Sequence, residues 1–285
     1  MDRRSKNIEI FEDTIRQCRG NRILQESIRS SIEHQKVYME TDFLEEIVNE
    51  KRYEDQAKVI VSKKRSFEAA SHYVGKKVCV HNFASATNPG GGVVHGSSAQ
   101  EECLCRCSTL YPALSEENVI YQFYNRHRQF LQENQMTALY NDDCIYTPEI
   151  IVFKSDIDFP ELLSEEKWYK VDVLTMAAPN LREKPSNRMN PHSGEKATIG
   201  EIELKELHKK RMSRFFEVSK RNGAEVLILG AFGCGAFCNS PKCVAEAMKE
   251  VVETYIYEFE AIEFAVYCSP RSDENYRTFC KVFGQ

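Results

Sequence analysis

The sequence predicts an α/β fold built on a layered, largely parallel sheet. Three observations carry that prediction. Five short apolar runs end in small or polar residues, as buried strands do: 76–85, 150–153, 169–178, 225–230 and 261–268. Helical patterns lie between them, over 116–136, 201–221, 241–258 and 273–282. Strands that alternate with helices in this way favour parallel pairing. Finally, glycine-rich loops follow two of the strands, and a polar loop over 181–200 follows a third, where α/β proteins place their ligands.

Taken in order, residues 1–72 read as helical and polar. Ile8, Phe11 and Ile15, then Ile23, Ile28 and Ile32, recur at roughly helical spacing. Thr41 and Asp42 are placed to cap a helix carrying Phe43, Leu44, Ile47 and Val48, and Ser66 to cap one carrying Phe67, Ala69 and Ala70. This gives a helical extension over 1–75 and an α/β domain over 76–285. The run KKVCVHNFAS opens that domain as a buried strand. QEECLCRCSTLYPAL, residues 100–114, reads as its first helix.

Composition narrows the function. Lys and Arg number 38 against 43 Asp and Glu, a net charge of −5, which argues against a broad basic face for duplex nucleic acid. The 11 cysteines are odd in number and no apolar leader precedes them, so reduced thiols and a cytoplasmic location are expected. No run approaches membrane-spanning length, so no membrane partner is expected.

Two motifs carry chemistry. After the strand around Val78–Val80 comes NFASATNPGGG, in which Asn88 and Pro89 precede Gly90, Gly91 and Gly92. Consecutive glycines cost backbone entropy and permit close approach of a ligand to the amides. Seven residues later, Gln100, Glu101 and Glu102 open a helix. Glutamates in a first turn often serve only the helix dipole. Behind a glycine loop they also supply what acid-assisted glycosidic cleavage requires: one carboxyl to protonate the leaving oxygen and one to orient a ribose hydroxyl. The second motif, GAFGCGAF, runs from Gly230 to Phe237 after the strand Val226–Leu229. Asn239, Ser240 and Pro241 then start a helix. A strand, a glycine loop and a helix start together make an anion site. It lacks the Lys-Ser/Thr of a P-loop and the third glycine of the dinucleotide fingerprint.

NPGGG, QEE, AAPNLR and GAFGCGAF, in this order, resemble the microbial-type poly(ADP-ribose) glycohydrolases. The resemblance is weak before about Lys76 and strong after it. It implies a three-layer macrodomain-like fold, with helices on both faces of a mixed, largely parallel sheet and a helical N-terminal extension. It implies hydrolysis of ribose–ribose bonds in poly(ADP-ribose), with the polymer or an ADP-ribosylated protein as substrate, ADP-ribose as product, and no cofactor or metal. Carried over by position, Glu102 is the catalytic acid/base and Glu101 orients the ribose hydroxyls. The amides of Gly91, Gly92 and Val93 line the distal ribose and diphosphate. Gly233, Cys234, Gly235 and Ala236 wrap the diphosphate, Phe237 stacks near the adenosine, and Asn88 contacts a ribose. Gly90 and Gln100 complete the substrate-binding set. Ser85 departs from the asparagine of many relatives.

Two alternatives stay open at this point: a mono-ADP-ribosyl hydrolase, and a non-catalytic ADP-ribose-binding module. The cysteines form no CxxC pair, so zinc is not expected. His95 reads as a loop residue, His81 as packing at a strand end and Trp168 as core.

Overall fold

A computed structural model describes residues 2–42, 51–187, 190–270 and 272–285. In chain order the elements are α1 (Arg3–Gly20), α2 (Arg22–His34), β1 (Lys36–Tyr38), β2 (Lys58–Ser62), α3 (Ser66–Ala70) and β3 (Val78–Phe83). Next come α4 (Gln100–Cys107), α5 (Leu110–Leu114), α6 (Glu117–Val119), a π-helical turn (Ile120–Asn125) and α7 (Arg126–Gln132). The chain closes with β4 (Cys144–Val152), β5 (Tyr169–Met176), α8 (Glu201–Arg221), β6 (Val226–Leu229), α9 (Pro241–Thr254), β7 (Ala261–Ala265) and α10 (Glu274–Phe283).

The seven strands form one mixed sheet in the order β1-β4-β5-β3-β6-β7-β2. The five strands from β5 to β2 pair in parallel, while β4 runs antiparallel to both β1 and β5. Each face is covered. Cys79, Leu227, Leu229, Ile262 and Phe264 point to one core with Phe215 and Phe216 of α8, Val244 and Met248 of α9, and Phe279 of α10. Val78, Val80, Val171, Val173, Val226 and Ile228 point to the other, with Phe67 of α3, Leu104 of α4 and Leu110 of α5. The alternation follows from the two-residue period of a strand. The three layers anticipated above are present.

Residues 1–72 are not helical throughout. Lys36–Tyr38 and Lys58–Ser62 are strands, and they form the two edges of the sheet. Both are short, which suits edge positions and gives little periodicity to read. The helix anticipated over Phe43–Val48 lies outside the described residues. The run at 150–153 is the second half of a longer strand whose register shifts between Thr147 and Ile150. The bulge breaks its apolar pattern in two. The helix at 100–114 breaks at Ser108, which is extended and bridges to Val152. Trp168 is only half-buried and packs on Phe153 in a small satellite cluster, not in either main core.

Because β5, β3 and β6 are adjacent and parallel, the loops that follow them all leave the same edge of the sheet. These are residues 84–99, 177–200 and 230–240.

Candidate active site

Both glutamates of α4 are buried, Glu101 at 3% exposed and Glu102 at 7%. They are held by backbone amides of the loop that precedes them. The Ser85 N–H donates to Glu101 Oε2 at 2.8 Å, and the Gly92 N–H donates to Glu102 Oε1 at 2.8 Å. Glu101 Oε1 also accepts from Asn82 Nδ2 at 3.4 Å. Asn82 lies on the same strand face as Val78 and Val80 and also donates to Thr175 of β5. Glu102 Oε2 is buried and has no protein partner.

Burial pushes both carboxyls up, and the neighbouring Glu102 charge raises Glu101 further, well above the usual range. The amides of Ser85, Gly90 and Gly92 pull the other way. Burial outweighs them, so both carboxyls hold their protons to higher pH than a free glutamate does.

The glycines are required by these contacts. Gly91 has φ +58°, and a Cβ there would meet Glu102 Oε1 at 2.6 Å and Glu101 Oε2 at 3.0 Å. Any side chain at this position collides with both carboxyls. Gly90 and Gly92 are buried beside it, followed by the fully buried Val93.

Gln100 clamps the helix to the strand. Its Oε1 accepts from Phe83 N at 2.9 Å, and its Nε2 donates to the His81 carbonyl at 2.7 Å and Ser66 Oγ at 3.0 Å. Both ends of the side chain are engaged by the protein. Ser85 Oγ accepts from the amides of Thr87 and Asn88 at 3.3 and 3.1 Å, which shapes the turn into the glycines. Asn88 is half-buried and joins two elements: its Nδ2 donates to Asn190 Oδ1 at 2.7 Å, and its Oδ1 accepts from Arg128 at 3.1 Å.

The second loop is stitched to the segment that follows β5. Asn239 is 2% exposed and donates through Nδ2 to the carbonyls of Pro179 (2.7 Å), Gly233 (3.2 Å) and Phe237 (3.3 Å). Its Oδ1 meets Nε2 of the buried His208 on α8 at 2.9 Å. Burial holds His208 down to about 4, so it is neutral at pH 7 and its Nε2–H donates here. Gly233, at φ +76°, sits against Asn239 and Ala178 so closely that a Cβ would lie 2.6–2.7 Å from both. Gly235 and Ala236 are exposed, while Cys234 and Phe237 are half-buried. Phe237 packs with Ala86, Tyr140 and Ala177, its ring 6.3 Å from that of Tyr140. Since Ala86 follows Ser85, this cluster joins the two glycine loops at one edge of the sheet.

His81 lies inside an aromatic cluster with Phe215 and Phe232, and His95 is exposed on the loop. Burial pushes the Cys103, Cys105 and Cys107 thiols up, so they pack as protonated, weakly polar groups. Among the described residues, no cluster of three or more His, Cys, Asp or Glu is placed to hold a metal ion. A groove of about 930 Å³, lined by Phe11, Ile15, Ile28 and Tyr111, contains none of the proposed site residues.

Sequence reasoning missed Asn82, His208 and Arg128, and read Asn239 only as part of a helix start, where Ser240 is the cap. A polar residue at an inward strand position was a readable signal for Asn82. The others gain their meaning only from partners distant in the chain.

A family model for the catalytic domain of microbial-type PARG, poly(ADP-ribose) glycohydrolase, matches residues 7–155. The chain belongs to this family. Its fold is similar to that of poly(ADP-ribose) glycohydrolase from Thermomonospora curvata, with TM-score 0.81 and 26% identity over 98% of this chain and 100% of that one. A structure of the same bacterial enzyme bound to the inhibitor ADP-HPD matches with TM-score 0.78 and 26% identity, covering 98% and 99% of the two chains. The glycohydrolase from Deinococcus radiodurans, in complex with ADP-ribose, matches with TM-score 0.73 and 27% identity over 90% of this chain and 96% of that one. No curated protein matches the chain. Among the described residues no helix is long and apolar enough to cross a membrane.

Proposed function

We propose that Glu102 is the acid/base of this glycohydrolase and that Glu101 orients the ribose beside the scissile bond. Hydrolysis of poly(ADP-ribose) is the activity of the family to which the chain belongs. The observation that carries the residue roles is the asymmetry of Glu102. One oxygen is fixed by the Gly92 amide, and the other is buried without a partner. A protonated Oε2 donates to the leaving 2′ oxygen as the ribose–ribose bond breaks through an oxocarbenium-like state. The resulting carboxylate then activates water. Glu101, braced by Ser85 and Asn82, accepts from ribose hydroxyls.

Gly91, Gly92 and Val93 line the distal ribose and diphosphate in this reading, with their amides turned inward to the Asn88 carbonyl, Glu102 Oε1 and the Gly90 carbonyl. Gly233, Cys234, Gly235 and Ala236 wrap the diphosphate from the other loop, and Phe237 stacks near the adenosine. Asn88 contacts a ribose, with Gly90 and Gln100 fixing the loop and helix around it. The stitching of 233–237 to 179–181 supports this, because a loop that binds through its backbone must hold its amides in place. ADP-ribose is the product, and the polymer or an ADP-ribosylated protein the substrate. Residues 76–285 carry the catalytic groups, and residues 1–75 form an extension that also completes both sheet edges. The 11 free thiols support a cytoplasmic location.

Incubation with labelled polymer tests the reading. Release of ADP-ribose is expected. Polymer that is bound but left intact would make the chain a binding module, and cleavage confined to mono-ADP-ribosylated protein would make it a mono-ADP-ribosyl hydrolase.

A further inference from the structure

Arg128 projects from α7 toward the first glycine loop, where it donates to Asn88 Oδ1 at 3.1 Å. It also donates to Asn125 Oδ1 at 3.0 Å. Its Nε is buried with no hydrogen-bond partner. Among the described residues no carboxylate acts on it, although the chain as a whole carries more acid than base. Burial without a counter-charge lowers its proton affinity.

The turn that feeds α7 points the same way. Ile120–Asn125 is π-helical, a rare geometry that recurs at functional sites. It carries Tyr124, which is fully buried, with its hydroxyl unpartnered. The Glu101 and Arg128 charges both act on that hydroxyl. Tyr124 OH, Arg128 Nε, Asn82 Oδ1 and Glu102 Oε2 are therefore four buried, unsatisfied polar groups around one loop. Partly buried cations are ordinarily paired, and guanidinium matches phosphate geometrically.

We propose that Arg128 binds a phosphate of the substrate and supplies the cationic contact that the backbone amides of the glycine loops lack. The proposal rests on the poly(ADP-ribose) reading above. The phosphate comes from the bound ADP-ribose unit itself or from the unit next to it in the polymer. Either source gives the same chemistry: a phosphate oxygen accepts from the guanidinium while Asn88 keeps the side chain aligned.

The test compares wild type, R128Q, R128K and R22Q. Arg22 is an exposed helix residue, so R22Q controls for loss of one positive charge. ADP-ribose affinity is measured by calorimetry and polymer KM by ADP-ribose release, each over a range of salt. Loss of one charged hydrogen bond predicts a rise in KM of about tenfold or more for R128Q. The slope of log KM against log salt should fall by roughly 0.7, as for release of one phosphate contact on a single strand. R128K should recover part of the affinity and the salt slope, because it restores the charge but not the fork. Weakened ADP-ribose binding assigns the phosphate to the bound unit. Unchanged ADP-ribose binding with weakened polymer binding assigns it to the neighbouring unit. The proposal is overturned if a folded R128Q, judged by circular dichroism and melting temperature, keeps wild-type affinities and salt slopes, or if R22Q changes them equally. Wild-type cleavage of the polymer in the same assay tests the function separately.

Discussion

Replacing Glu102 with glutamine separates chemistry from structure. The side chain is 7% exposed, its Oε1 accepts from Gly92 N–H, and burial raises its proton affinity above that of the unfolded chain, where the group titrates near 4.5. Glutamine keeps the accepting oxygen and cannot transfer the proton. Loss of general acid–base transfer costs about 10²–10⁴-fold in kcat, with ADP-ribose affinity held near wild type. Stability should move the other way. Above pH 4.5 the unfolded wild-type chain gives up this proton more readily than the folded one. The Glu102 contribution to stability is therefore lost as pH rises through the folded value. Each tenfold difference in proton affinity is worth about 1.4 kcal/mol. Glutamine carries no such dependence. E102Q should melt higher than wild type at pH 7, and the gap should close below pH 4.5, where protonated glutamic acid and glutamine present matching neutral groups. Single-turnover release of ADP-ribose and melting curves from pH 4 to 8 measure the two effects. A kcat within tenfold of wild type would refute the acid/base role. A melting gap that stays constant with pH would refute the argument from burial.

Three further changes follow from the same geometry. Gly91→Ala puts a methyl 2.6 Å from Glu102 Oε1 at a positive φ, so both carboxyls must shift; a fall in kcat of about 10²-fold is expected, and turnover assays showing wild-type rates would contradict it. Asn239→Ala leaves the Pro179 carbonyl without its donor and His208 without its acceptor, and removes the side-chain bonds to the Gly233 and Phe237 carbonyls, which keep the Asn239 and Leu181 amides; this should cost about 1–3 kcal/mol in denaturant unfolding and weaken ADP-ribose binding in calorimetry. Asn7→Ala removes a buried donor from α1 to the Gly96 carbonyl at 3.0 Å, on the same loop as the catalytic glycines; kinetics should show kcat falling more than KM changes, and a change confined to melting temperature would mean that α1 only stabilises.

The strongly parallel half of the sheet was legible because buried strands announce themselves by short apolar runs, and 169–176, 226–229 and 261–265 each fall inside one. Helix α8 spans Glu201–Arg221, the bounds that its helical pattern gives. The two edge strands were not legible. Lys36–Tyr38 and Lys58–Ser62 acquire their identity from Tyr146 and Ala261, partners about 100 and 200 residues away.

The site divides along the same line. Glycine and glutamate announce themselves at fixed spacing because only glycine fits against two buried carboxyls, and that constraint is written within a dozen residues. Sequence alone therefore determined the glycine loops, the paired glutamates and the family resemblance. The tertiary structure decided which amide holds which carboxyl oxygen, that Gln100 spends both ends of its side chain on β3 and Ser66, that Asn239 and His208 set the second loop, and that Arg128 reaches Asn88. Asparagine, histidine and arginine take their roles from hydrogen-bond partners, and those partners come together only when the sheet aligns the ends of β5, β3 and β6.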